Sequence, residues 1–395
     1  MDFNKKISEF NDNYSQIKSI IKQSVKNKNI ITGSGGSNNV VILHDQFVIK
    51  FIPNFKNNLY KKKPNVDYLE AEYYKKFTEQ FIKPNLTPHI VGLYKRYLIE
   101  DIKIIFPNKC LTLDEKIFTP WDKIDQPTEK LCMIKKSYEK KLVEKKGSIL
   151  ILENCTNNIS DQAEIILGKN MKPKDKIKVF KQFLTRIIFQ FLFTLALIQQ
   201  KYPKFIHNDM FLRNILAIND NNWEPDDYVE YKLFNKSYYL PANGIYIKMN
   251  DFGYSLNMTA EKSTLISEIT NNVDNSFEFD NAKRDVYTFL FDLYNGPNLG
   301  SQSLITIINN SFKNLKIRKL FISSLKKVIG SFLDYNVIDK ALSKNSNILD
   351  WTWNISESKI LMNTIKKPNE YFKNGSFDNL TILPPNGRIV KMFNN

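Results

Sequence analysis

Residues 205–216 read Phe-Ile-His-Asn-Asp-Met-Phe-Leu-Arg-Asn-Ile-Leu and set a carboxylate, Asp209, five positions ahead of a carboxamide, Asn214. In a loop, such a pair can divide one task. The carboxylate accepts the proton of an attacking hydroxyl, and the carboxamide oxygen coordinates a metal that holds phosphates. Downstream, Lys248-Met249-Asn250-Asp251-Phe252-Gly253 offers a second metal-binding group, Asp251. Upstream lies Gly33-Ser34-Gly35-Gly36-Ser37-Asn38-Asn39-Val40. Glycine tolerates positive φ and close approach, so the backbone there can meet phosphates. A single cation, Lys50, then ends the apolar run Phe47-Val48-Ile49. In that order these are the parts that phosphoryl transfer from ATP with Mg²⁺, or Mn²⁺ in its place, requires. A Gly-rich run or an Asp-Phe-Gly tripeptide alone is common by chance. The spaced Asp209/Asn214 loop, a strand and Asp251 in series are not.

Each of these groups needs a companion. An ammonium that is to meet the α- and β-phosphates is held by a carboxylate on the following helix. Glu70 and Glu72 are both available, two apart and therefore on different faces. Glu72, directly ahead of Tyr73-Tyr74, is the expected partner of Lys50. The strand Ile149–Leu152 ends in Glu153-Asn154-Cys155, where an exposed backbone edge at Glu153 and Cys155 could hydrogen-bond an adenine ring. Asp285 stands at the start of an apolar helix, either as its N-cap or as a brace for the backbone of the Asp209 loop.

The elements that must position these residues follow from periodicity. Val40–Leu43 and Phe47–Phe51, joined by His44-Asp45-Gln46, read as a β-hairpin. Residues 1–30 look helical and charged, and 65–82 read as a helix with Tyr73, Phe77 and Phe81 spaced by four. Strands are expected near His89–Leu93 and Ser148–Leu152. Between them, 99–147 is rich in Lys and Glu with little periodicity, which suggests an insertion or a flap. A long helix over Asp175–Gln200 precedes the loop, strand Ile215–Ile218 follows it, and a polar insert over 219–244 leads to strand Ile245–Met249. The rest reads as mostly helical and polar, with an apolar helix around Val286–Tyr294. The order is a small β-rich part and then a larger helical part, a pairing that makes a cleft able to bury a nucleotide.

At 395 residues the chain can bury a large core, and two lobes or domains are expected. Its net charge of +16 points to an acidic partner or nucleic acid, although only six of the 57 basic residues are Arg and Asn is abundant. Lys, Asn and Ile are what AT-rich codons supply, so much of that charge reads as solvated surface. Cys110, Cys132 and Cys155 form no spaced framework, which predicts thiols in a reducing, intracellular compartment. His44, His89 and His207 lie far apart, and with no Cys-x-x-Cys this argues against structural zinc. Ile187–Gln200 is uncharged for 14 residues, short of the ~20 of a membrane span, so a buried helix and no transmembrane segment are expected.

From Gly33 to Asp285 the residues resemble the protein-kinase-like superfamily. The run Leu195-Ala196-Leu197-Ile198-Gln199-Gln200-Lys201-Tyr202-Pro203 leading into Phe205 and His207-Asn208-Asp209 is similar to the atypical kinases of large nucleocytoplasmic DNA viruses. The resemblance implies an α+β, bilobal protein-kinase-like fold with a small β-rich N-lobe (1–153, insertion 99–147) and a larger, mainly helical C-lobe (154–395, insertion 219–244). It implies a Ser/Thr-type protein kinase of viral origin that moves the γ-phosphate of Mg-ATP to a protein substrate, in the host cytoplasm or the virion. Gly33, Ser34, Gly35, Gly36 and Val40 match its phosphate-covering loop, Lys50 and Glu72 its ion pair, and Glu153 and Cys155 its adenine-binding hinge. Asp209 matches the catalytic Asp, Asn214 and Asp251 the metal ligands, and Asp285 the helix αF aspartate. There are departures. Asn38 replaces a third Gly, Asn208 stands where an Arg would receive an activating phosphate, and Phe211 stands where Ser/Thr kinases carry a Lys. Arg213 sits where tyrosine kinases carry an Arg, and no Ala-Pro-Glu follows Asp251. The short loop-to-lysine hairpin and His-Asn-Asp also resemble choline and aminoglycoside kinases, and a non-catalytic, nucleotide-binding pseudokinase is the other alternative.

Overall fold

The computed structural model describes residues 3–10, 12–27, 31–32, 40–55, 66–107, 110, 127–155, 157–255, 281–295, 303–333 and 365–393. The Gly33–Asn39 run lies outside them. The chain is mixed helix and sheet and divides into two compact units, the first within Met1–Lys83 and Val91–Asn154, the second within Pro84–Ile90, Cys155–Lys262 and Thr270–Asn395.

The first unit is a five-stranded sheet in the order β1-β2-β3-β5-β4, with β1 Ile31–Thr32, β2 Val40–Leu43, β3 Phe47–Phe55, β4 Leu93–Ile99 and β5 Val143–Glu153. The expected hairpin is present. His44 N–H closes the turn on the Phe47 carbonyl at 2.9 Å, and the His44 ring stacks on Phe47. Because side chains alternate along a strand, Phe47, Ile49 and Phe51 enter an apolar core with Ile17 and Ile21 of helix α2 (Tyr14–Asn27), Ile149 and Ile151 of β5, and Leu131 and Ile134. Lys50 emerges on the opposite face. It pairs in register with Leu150, which pairs in turn with Arg96 on β4, so Lys50 and Arg96 share one face of the sheet. Helix α1 covers Phe3–Glu9, and α3, Val66–Phe77, runs on into a wider π-helical turn over Thr78–Ile82. The buried stripe of α3 is Ala71, Tyr73, Tyr74 and Phe77.

Where it is described, the stretch 99–147 carries regular structure: Ile102 and Ile105 of a turn over Ile102–Ile105 are buried, helix α4 spans Pro127–Glu139, and β5 begins at Val143. One expectation is corrected here. Cys110 and Cys132 form a disulfide with Cα atoms 5.6 Å apart, so the prediction of three reduced thiols fails. Spacing along the chain carries no information about a pairing that depends on where α4 packs.

In the second unit a three-stranded sheet runs β10-β7-β6, from β6 (Asn157–Asn158), β7 (Ile215–Asp220) and β10 (Gly244–Met249). Helix α5 (Ile159–Gly168) follows β6 and starts on an Asn158/Asp161 capping box. The long helix α6, Pro173–Lys201, starts with Pro at its first turn, where its fixed φ is preset and its missing N–H costs nothing. Every residue from Ile187 to Ile198 is buried, and 78% of the most apolar 18-residue stretch of this helix, which is long and apolar enough to cross a membrane, lies inside the fold. Of the helix's two buried polar residues in mid-run, Thr194 hydrogen-bonds Thr87, and Gln190 serves the outer edge of β10: Nε2 donates to the Ile245 carbonyl and Oε1 accepts from Ile247 N–H, both at 3.0 Å. His89 extends the same edge, its carbonyl accepting from Met249 N–H and its Nδ1 lying 3.1 Å from the Ile247 carbonyl. A sheet edge that would otherwise leave buried backbone groups unpaired is satisfied in this way.

The insert expected over 219–244 is a second hairpin, β8 (Asp227–Leu233) and β9 (Lys236–Pro241), with positive φ at both turn residues, Phe234 and Asn235, as a two-residue hairpin turn demands. Chain-terminal strand β11 (Arg388–Phe393) joins β8 in parallel and gives the order β11-β8-β9. Four further helices complete the described part: α7 Asn281–Asn295, α8 Leu304–Ser311, α9 Leu315–Ile329 and α10 Pro368–Lys373. The strand expected near His89–Leu93 begins only at Leu93. Ile90 instead makes a lone bridge to Met249.

Candidate active site

In the second unit the site is set by one hairpin. Met249 pairs with Ile215 at the end of the antiparallel β7–β10 ladder. Asn214 precedes Ile215 by one residue and Asp251 follows Met249 by two, so both project from the same strand end. Asn250 N–H donates to the Asn214 carbonyl at 3.0 Å and ties the two loops together. His207 adds a second tie, its Nε2 2.9 Å from the Asn250 carbonyl and its ring 5.0 Å from Phe252. A carbonyl only accepts, which makes Nε2 the protonated nitrogen in this bond. Asp251 holds φ +61 and Asn208 φ +68, in the left-handed region where Asn and Asp are the best tolerated non-glycine residues. The Asn at 208, where the family pattern has Arg, suits that backbone.

The loop itself converges on Asp209. Asn214 Nδ2 donates to Asp209 Oδ2 at 2.7 Å and to its carbonyl at 2.8 Å, while Arg213 Nη2 reaches Oδ1 at 2.6 Å. Both carboxylate oxygens are thereby oriented, and Asp209 is buried. The Arg213 guanidinium stacks over the Phe211 ring at 4.5 Å, so the aromatic residue that replaces the usual Lys supports a cation from two positions on.

Helix α7 anchors this loop. Asp285 accepts from His207 N–H at 2.7 Å and Asn208 N–H at 2.9 Å. It lies four residues inside α7, which starts at Asn281, so the brace reading holds and the N-cap reading does not. Burial raises the Asp285 carboxyl above the usual range, with His207 and the two amides pulling the other way. A second carboxylate that sequence reasoning missed, Asp292, accepts from Leu212 N–H at 2.6 Å.

The groups expected to hold a metal fit a hard cation. Both hydrogen bonds of the Asn214 carboxamide use Nδ2, so its Oδ1 is the atom that could serve a cation, and Asp251 adds a carboxylate at the same strand end. Mg²⁺ commonly takes one or two protein oxygens and fills its shell with phosphate and water. Among the described residues no group of three His, Cys, Asp or Glu forms a fuller cage.

In the first unit, Lys50 pairs with Glu70, and both are buried. The expected pairing with Glu72 is corrected, because Glu72 takes Arg96 Nη1 at 2.7 Å instead. Helical spacing is the reason. Glu70, Tyr74, Phe77 and Phe81 follow the i, i+4, i+7, i+11 stripe that faces the sheet, whereas Glu72 falls with Lys76 beside it. That stripe was readable in the sequence. Glu153 N–H is taken by the Gly92 carbonyl at 2.8 Å and its carboxylate by Lys6 at 3.1 Å, while Asn154 Nδ2 donates to the carbonyls of His44 and Asp45. The strand end is thus fixed on both sides. Cys155 forms no disulfide. Val40 is in place opposite Phe51 in the β2–β3 ladder, and Gly33, Ser34, Gly35 and Gly36 lie outside the described residues.

No family model matches the chain. It is 34% identical, over its full length and 99% of the other protein, to "Putative serine/threonine-protein kinase R301" of Acanthamoeba polyphaga mimivirus. "Putative serine/threonine-protein kinase R400" of the same virus is 35% identical over 185 residues, 46% of this chain and 35% of that protein. With its whole length aligned at that identity, and with the loop geometry described above, the chain belongs to the viral atypical kinase-like family that includes R301.

Proposed function

We propose that the chain is an ATP-dependent protein kinase of the Ser/Thr type, whose two units are its small and large lobes. The observation that carries this reading is the Asp209 loop: an oriented carboxylate, a carboxamide whose Nδ2 makes both of its hydrogen bonds, and Asp251 at the neighbouring strand end, all tied to one hairpin. The names of the mimivirus relatives support the Ser/Thr class. In this reading Asp209 orients a substrate hydroxyl and takes its proton as the oxygen bonds to the γ-phosphorus. The bond from that phosphorus to the β–γ bridging oxygen breaks, and ADP leaves. Lys50, held by Glu70, supports the α- and β-phosphates. Asn214 and Asp251 would hold Mg²⁺, which supplies charge neutralisation at the phosphates when bound. The Gly33–Val40 run covers the phosphates, and the Glu153 carbonyl with Cys155 receives the adenine.

The test is transfer of labelled γ-phosphate to a protein mixture with Mg²⁺, with phosphosites read by mass spectrometry. Wild type should phosphorylate Ser or Thr, and Asp209→Asn should lose several orders of magnitude in rate. Equal labelling by wild type and Asp209→Asn overturns the reading. Transfer to choline or an aminoglycoside without transfer to protein replaces it with the small-molecule one.

A further inference from the structure

Helix α7 offers the loop more than its Asp285 brace. Asp292 lies seven residues beyond Asp285, two helical turns on and so on the same face. The two carboxylates bracket Asp209. Asp285 holds the amides of His207 and Asn208 on one side, and Asp292 holds the Leu212 amide on the other. Both are fully buried. Such a position inside an apolar helix favours a hydrophobic side chain, since burying a carboxylate is costly. Burial pushes the Asp292 carboxyl up to about 7, against the Leu212 amide and Arg213, which pull it down. Its Oδ1 has no hydrogen-bond partner among the described residues, so its one bond, to Leu212, is what the residue contributes locally.

That bond sits at a decisive place. Leu212 opens the single 3₁₀ turn Leu212–Asn214, closed by Asn214 N–H on the Phe211 carbonyl at 2.9 Å. The turn carries Arg213 and Asn214, the two side chains that orient the Asp209 carboxylate. We propose that Asp292 is a positioning residue: by holding the Leu212 amide it fixes the turn that aims Arg213 and Asn214 at Asp209. Its catalytic consequence rests on the kinase reading, but its effect on the loop does not.

The test compares Asp292→Leu, which keeps the size and removes the acceptor, with Asp292→Asn, which keeps an acceptor oxygen. Amide exchange across 207–215 and steady-state kinetics on a protein phosphorylated by wild type are measured on the full chain. In Asp292→Leu the Leu212 amide should lose protection while His207 and Asn208 keep theirs. Its kcat should fall about 10-fold or more with little change in the KM for ATP, as small misplacements of a reacting group do. Its thermal stability should hold or rise, because a buried carboxylate is gone, whereas a merely structural residue would lose stability and activity together. Asp292→Asn should restore most of kcat and of the protection. Wild-type protection at Leu212 in Asp292→Leu, or wild-type kcat despite lost protection, overturns the proposal. If wild type and Asp209→Asn are equally inactive, the kinase reading has failed, and amide exchange alone then decides whether Asp292 braces the turn.

Discussion

The cation of the first unit is buried together with the carboxylate it pairs with. Breaking a buried ion pair such as Lys50–Glu70 by removing one member costs about 3–5 kcal/mol. The Arg96–Glu72 pair keeps roughly a fifth of its side-chain surface in water, where ion pairs contribute about 1 kcal/mol or less. Glu70→Ala should therefore destabilise the chain several-fold more than Glu72→Ala in denaturant titrations, and under the proposed kinase function only Glu70→Ala should impair phosphate transfer. Asp292 gives a pH dependence of defined sign. Its carboxyl titrates near 7 when folded and near 3.8 when unfolded, so the native state binds the extra proton between those values. Stability is then full below about pH 4 and falls as pH rises toward 7, by roughly 4 kcal/mol at most, and levels off above it. Asp292→Asn removes that slope, so its stability relative to wild type should climb from pH 4 to 8 in urea melts. Equal pH profiles would contradict the buried, raised carboxyl. Asp209, Asn214 and Asp251 were legible from sequence because their chemistry depends on near neighbours. Glu70 was legible in principle from the α3 stripe. Asp292 was not, because a carboxylate within an apolar helix carries no mark of a partner 80 residues away.

At the scale of elements, the sequence announced strands and helices wherever the period was clean: the β2–β3 hairpin, α6, and the β7 and β10 strands beside the site. It was silent where an element is stabilised by a distant segment. The 219–244 stretch looked like a polar insert because β8 is completed by β11 about 160 residues later, with Arg388 Nε and Nη2 reaching Asp227 Oδ1 at 2.8 and 2.7 Å. Deleting residues 387–395 leaves Asp227 buried without that cation, removes the Phe393 ring from Tyr231, and opens the β8 edge. The truncated chain should self-associate in size-exclusion chromatography, as unpaired edges do. The Cys110–Cys132 link ties α4 to Cys110 within the first unit, across a separation of 22 residues. Closing a loop of that size lowers the entropy of the unfolded chain by about 3 kcal/mol. The double Cys→Ser variant, or wild type in dithiothreitol, should unfold at correspondingly lower denaturant. Coincident unfolding with and without reductant would mean that the link contributes nothing.

For the whole molecule the net charge of +16 confuses the simplest ligand test. A chain this basic attracts any polyanion weakly, so ATP alone should raise its melting temperature a little through surface contacts. That part should shrink as salt rises, because exposed charges are screened beyond about 8 Å at physiological ionic strength. The binding proposed at the Asn214/Asp251 oxygens would be different in kind, because those groups are acceptors and repel phosphate without a cation between them. The site-specific shift should therefore require Mg²⁺ and persist at 0.3 M salt, a level about twice the physiological one. Ligand at 100 times its Kd stabilises the native state by about 2.7 kcal/mol if it binds only that state. Asp251→Asn should lose this Mg²⁺-dependent increment while keeping the small, salt-sensitive response to ATP alone. Differential scanning fluorimetry on the two proteins, with ATP in Mg²⁺ or in EDTA and at two salt concentrations, separates the contributions. An Asp251→Asn chain that keeps the full Mg²⁺-dependent shift would place the cation elsewhere and remove Asp251 from the site.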